Sequence, residues 1–246
     1  MAGDDIFGIK VPPFETDDLR KNLTDYLDTP FADLDGNSIA VGNYKWGVYA
    51  FYDYDGEPIY VGQTNEMLRT RIRRHLTNQR TDAVAMSVLD PFEVFEIEVY
   101  PLTDLQGGAG SNSKEMAKAR LNALERAVYE RAIQKSIFGA ILNEKDPPPL
   151  GALKLEDIEI PKSFRKRIVS EEVAKLRSHP DFRIARRSLI ISRLAQVISE
   201  RKVQGGLRRV LLTQATRLQW LASKRYQALG GAASVETETG DEGDND

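Results

Sequence analysis

Gly47-Val48-Tyr49-Ala50-Phe51-Tyr52-Asp53-Tyr54-Asp55-Gly56-Glu57-Pro58-Ile59-Tyr60-Val61-Gly62 reads as a β-hairpin. Its first eight residues, apolar or aromatic apart from Asp53, read as a strand. Asp55-Gly56 then marks a tight turn, because Gly accepts positive φ without steric cost. Pro58 to Gly62 forms the return strand. Antiparallel pairing brings Tyr49 and Tyr60 near each other, each beside a Gly that lets another backbone or a ligand approach closely. Downstream, Met67-Leu68-Arg69-Thr70-Arg71-Ile72-Arg73-Arg74-His75 predicts a strongly basic helix. Tyrosine, arginine and histidine gathered beside a hairpin suit handling of a phosphate better than they suit a core.

Working outward, Leu19, Leu23, Tyr26 and Leu27 recur at helical spacing after Thr16-Asp17-Asp18, and Thr29-Pro30 ends that helix. Phe95, Ile97 and Val99 alternate with Glu96 and Glu98, so residues 92–100 predict a half-buried strand closed by Pro101. A helical turn is expected within residues 78–91. Asn112 or Ser113 caps a long helix to about Ser136, and Pro147-Pro148-Pro149 breaks the chain. Beyond it the pattern is helical over 170–178, 181–203 and 207–229, with Gly205-Gly206 as a break. The expected organisation is an acidic helical extension (1–40), an α/β (α+β) domain (41–149), a basic helical region (150–229) and a disordered acidic tail (230–246).

Composition narrows the chemistry. The 246 residues contain no Cys and two His, which excludes disulfides, thiolate nucleophiles and zinc ribbons, and leaves a hard ion held by carboxylate and water as the expected metal. No apolar run approaches the roughly 20 residues of a membrane span. A chain without Cys or a basic, apolar leader is expected in the cytoplasm. The net charge of −3 hides a segregation: residues 162–229 hold seventeen Lys/Arg against four Asp/Glu, while residues 1–35 hold nine acids and three bases. Such a surface suits a polyanion.

The two tripeptides Gly47-Val48-Tyr49 and Tyr60-Val61-Gly62, with ten residues between them, resemble the paired motifs of the GIY-YIG nucleases, with Val replacing each Ile. The basic helix and a later Glu helix followed by Asn extend the resemblance over residues 45–145. It implies a small, mainly antiparallel sheet flanked by helices, and metal-dependent hydrolysis of DNA phosphodiesters. Tyr49 is then the proton acceptor for the attacking water and Tyr60 positions water or phosphate. Arg71 stabilises charge on the scissile phosphate, with Arg69 or Arg73 as substitutes one helical slip away. His75, four residues after Arg71, bonds the phosphate or shuttles a proton. Asn143 matches the family's Asn, and the implied cofactor is Mg²⁺ or another divalent ion such as Mn²⁺.

Two carboxylates compete for the metal. At 100° per residue, Leu121, Leu124, Val128 and Ala132 share one stripe; Glu125 lies within about 40° of it and Glu130 falls opposite. A carboxylate on the inward face must be paired or must bind something, which favours Glu125. The interval from Glu125 to Asn143 is eighteen residues, longer than the family's habit, whereas from Glu130 it is thirteen. Both stay open. Arg69, Arg73, Arg74, Arg186, Arg187, Arg208 and Arg209 are the expected DNA contacts, and the C-terminal helices also offer a face to a second copy or a protein partner. Two alternatives accompany this reading: a DNA-binding or docking module that keeps the fold without cleavage, and cleavage of RNA.

Overall fold

The computed structural model describes residues 14–33, 36–77, 88–106, 111–151, 153–200 and 205–232. The expectations for the chain start, for a helical turn within 78–87, for Arg201 and Lys202, and for the acidic tail beyond 232 lie outside them. The described residues form an α+β fold. The helices are α1 (Phe14–Leu27), α2 (Leu68–Leu76), α3 (Ser111–Lys135), α4 (Glu171–Arg177), α5 (Pro180–Glu200) and α6 (Gly205–Ala228). The strands are β1 (Pro30–Ala32), β2 (Ser38–Ala40), β3 (Gly47–Tyr52), β4 (Pro58–Thr64), β5 (Glu96–Pro101) and β6 (Phe164–Arg167).

The hairpin forms as expected, with a longer turn. β3 and β4 pair antiparallel with Tyr49 opposite Gly62 and Phe51 opposite Tyr60, and the register shifts at Phe51/Tyr52. Five residues, 53–57, make the connection. The Asp53 carboxylate accepts from the Asp55 and Glu57 amides at 2.9 and 3.1 Å, and Gly56 takes φ +76°. An aspartate bonding its own backbone replaces the two-residue turn that Asp-Gly alone suggests. Tyr49 and Tyr60 are thus diagonal neighbours, with ring centroids 6.2 Å apart.

β3 lies inside a four-stranded antiparallel sheet of order β4-β3-β5-β6, while β1 and β2 form a separate pair. Both sheet faces are covered, which explains why every residue of β3 is buried. On one face Tyr49, Phe51, Ile97 and Val99 join Leu19 and Leu23 of α1 and Leu68 and Ile72 of α2. On the other, Val48, Ala50 and Val61 meet Leu121, Leu124 and Val128 of α3. β1, β2 and β6 were not expected from the sequence. They are three or four residues long, too short for period-two alternation to register, and β6 reads Phe-Arg-Lys-Arg.

The C-terminal helices share the sheet's own core: Leu194, Leu207 and Val210 belong to the same buried cluster as Tyr49 and Ile59. Much of their positive charge points inward. Arg183 reaches Asp55 at 2.5 Å and Asp53 at 3.2 Å, while Arg187 bonds Glu93 at 2.8 Å and Gln214 at 3.1 Å. Arg217, 1% exposed, donates to the Pro58 carbonyl at 2.9 Å, and burial pulls its pKa down to about 10. Guanidiniums withdrawn from water need carboxylates opposite them, and Asp53, Asp55 and Glu57 of the hairpin together with Glu93 supply these. Arg183→Ala removes the closest cation from Asp53 and Asp55, and is expected to lower the unfolding free energy by about 3–5 kcal/mol in urea titration.

Candidate active site at the edge of the sheet

The site is assembled where β4, the outer strand, passes between α2 and α3. Tyr49 lies across Gly62 of the neighbouring strand. A Cβ on Gly62 would stand 2.6 Å from the Tyr49 hydroxyl, so the second-motif glycine is the seat of the first-motif tyrosine. Gly47 answers a similar constraint, since its Cβ would meet the Tyr100 carbonyl at 3.0 Å and Leu68 at 3.4 Å. From α2, His75 turns its ring toward Tyr49 and Tyr60, with centroids 5.8 and 5.2 Å away.

The Tyr49 hydroxyl is buried and has no hydrogen bond of good geometry among the described residues. Burial pushes its pKa well above the usual phenol value and Tyr60 adds to the rise, while the Arg71 guanidinium beside it pulls the other way. Glu125 is shifted in the same sense: burial lifts its carboxyl to about 7, and Arg71 again opposes the rise. One half-buried guanidinium therefore acts on both groups.

A cavity of about 390 Å³ opens beside these residues, lined among others by Tyr60, His75, Glu125, Asn143, Glu144 and Lys145. Glu125 is 9% exposed, and among the described residues no hydrogen bond or ion pair to its carboxylate is formed. Glu130 does not line the cavity; it pairs with Arg126 at 2.5 Å one turn away on α3. The stripe argument thus separates the two carboxylates in space. No group of three His, Asp or Glu side chains able to hold a metal occurs among the described residues. The donor set fits a hard divalent ion with one protein carboxylate and the remaining positions left to water and substrate oxygens.

Asn143 reaches the cavity wall but spends its side chain on the fold. Its amide donates to the Val61 carbonyl at 2.7 Å and its oxygen accepts from the Val61 amide at 3.0 Å. The remaining predicted arginines divide by partner. Arg69 bonds Asn43 and Asp28, both at 2.8 Å, pinning α2 to the segments around α1. Arg186 forks onto Asp90 at 2.8 and 2.9 Å, and Arg187 is 4% exposed. Carboxylate or amide partners within the fold hold these three. Arg73 bonds Thr24 at 3.0 Å, Arg74 pairs with Glu66 at 2.9 Å and Arg209 with Asp146 at 2.8 Å. Arg208 is exposed.

Sequence reasoning missed Gln63, whose amide donates to Asn122 of α3 at 2.9 Å and ties β4 to the Glu125 helix. A polar side chain alternating out of an otherwise apolar strand was the available signal. Residues 45–106 match the family described as the GIY-YIG catalytic domain, so this segment of the chain is a domain of the GIY-YIG nuclease superfamily. No curated protein and no solved structure matched the chain. No helix among the described residues is long and apolar enough to cross a membrane.

The raised Glu125 pKa has a consequence for stability. The folded state keeps this proton to about pH 7, whereas an unfolded carboxyl releases it near 4.5. Stability therefore falls as pH rises between those values and stays lowered above them. Glu125→Gln is expected to raise Tm by several degrees at pH 8 and to change it little at pH 4.5, read by thermal unfolding at both pH values.

Proposed function

We propose that this chain is a divalent-cation-dependent endonuclease that hydrolyses DNA phosphodiester bonds at the cavity between β4, α2 and α3. The observation that carries the reading is Glu125: a carboxylate on the buried stripe of α3, with no ion pair or hydrogen bond from the described residues, lining a cavity with Tyr60 and His75. The fold gains nothing from such a group, since burial raises its pKa. A catalyst does.

In this reading Glu125 holds the cation, Mg²⁺ or Mn²⁺, which when bound supplies Lewis acidity to a phosphate oxygen and to the leaving 3′-oxygen. Arg71 donates to a non-bridging oxygen, and its charge opposes the burial that keeps Tyr49 protonated. Tyr49 accepts the proton of the attacking water, and Tyr60 and His75 orient water and phosphate from the cavity wall. Arg73, Arg74 and Arg208 grip flanking phosphates, with Arg74 exchanging Glu66 for the nucleic acid. DNA as substrate, and a cytoplasmic setting, complete the proposal.

The test is cleavage of supercoiled, linear and branched DNA with and without Mg²⁺, comparing the parent chain with Glu125→Gln and Glu130→Gln between pH 6 and 8. Cutting is expected to require the cation, to rise with pH as Glu125 ionises, and to fall about 100-fold or more in Glu125→Gln only. Loss in Glu130→Gln alone would move the ligand one turn along α3. Salt-sensitive binding with no cutting of any substrate would replace the nuclease reading with a binding module.

A further inference from the structure

β4 is an edge strand, and its outer side is completed by residues 140–143 rather than by another strand. The Leu142 amide donates to the Ile59 carbonyl at 2.8 Å, and Asn143 bonds both backbone groups of Val61. Tyr60 sits between these two attachments. The strip is held from outside at both ends by α6. Arg217 donates to the Ala140 carbonyl at 3.2 Å while also bonding Pro58 at 2.9 Å, so one guanidinium ties the strip to the start of β4. Two turns earlier on the same helix, Arg209 donates to the Asn143 carbonyl at 3.3 Å and pairs with Asp146 at 2.8 Å. Asp146 in turn accepts from Tyr129 of α3, the Glu125 helix, at 2.6 Å.

From this chain of contacts we infer that α6 is part of the catalytic unit, with Arg209 and Arg217 as positioning residues that fix Tyr60 and Asn143 by clamping residues 140–143 onto β4. The inference rests on the nuclease reading for its catalytic consequence and on the hydrogen bonds alone for its structural one. It separates these cations from a DNA-binding role. A phosphate contact contributes to affinity and steepens its salt dependence. A positioning residue acts on the geometry of the reacting groups, where a displacement of about 1 Å costs rate rather than binding.

Arg209 is the residue to change, because it lies at the surface and its loss leaves the buried Arg217 in place. In Arg209→Met, kcat is expected to fall about tenfold with KM and the salt dependence of binding unchanged. Hydrogen–deuterium exchange is expected to speed up in residues 58–64 and not in β5. Arg209→Lys, which keeps the charge and one donor, is expected to recover part of kcat. A raised KM with a shallower salt slope, at parental exchange rates, would overturn the inference in favour of a DNA contact. Parental kcat and exchange in Arg209→Met would overturn it outright. If the parent chain cuts no DNA, the nuclease reading fails on its own and the exchange experiment still decides whether the clamp exists.

Discussion

The outer side of β4 presents backbone donors and acceptors that a sheet edge must either leave in water or satisfy from within the chain. At the Ile59 carbonyl and at Val61 they are met by a segment with no strand geometry of its own, residues 141–143, through one backbone bond and one side-chain amide. An Asn side chain reproduces the donor and acceptor of a peptide group, so it can close a ladder position while the chain turns away. That turn leaves room beside Tyr60 for the cavity. A regular fifth strand would have filled it. The site thus depends on an edge closed by a surrogate.

How much of this was legible follows from which constraints are local. The hairpin, α2 and α3 declare themselves through strand composition, turn chemistry and 3.6-residue periodicity. Glu125 was separable from Glu130 by its angle on the helix, and the two do occupy different surroundings. Asn143 was readable as a residue after an apolar run, but its bond to Val61 spans 82 residues and no local pattern reports it. The five-residue turn was hidden for a similar reason: Asp53 organises it with a side chain that sequence alone cannot distinguish from a solvated one.

The C-terminal arginines are the most instructive departure, because the signal was present. Arg183 and Arg187 continue the buried stripe of Ile190, Leu194 and Val197, and Arg217 falls on the stripe of Leu207, Val210 and Leu221. The reasoning that marked Glu125 applies to them unchanged: a charge on an inward face needs a partner. The partners were also in the sequence, as Asp53, Asp55 and Glu57 around the hairpin turn and Glu93 beyond it. Counting the charges of a segment suggested a wet basic surface. Placing the same charges on their helical faces gives a dry interface in which the hairpin and the last two helices neutralise each other.

That placement changes what the net charge of the candidate site rests on. With Arg183 and Arg217 committed to the hairpin acids and Arg187 to Glu93 and Gln214, Arg71 is the cation whose field reaches both Tyr49 and Glu125. It opposes two burial-driven shifts at once and cannot fully reverse either. On the nuclease reading, a substrate phosphate arriving at Arg71 takes up part of that compensation and adds its own negative charge. Both effects favour the protonated form of Glu125, which is the form unable to hold a cation. Phosphate and cation must therefore enter as partners, each cancelling the charge that the other makes unfavourable. A site built from one carboxylate, with cation and phosphate mutually dependent, reaches its charge balance on this reading only when the two arrive together.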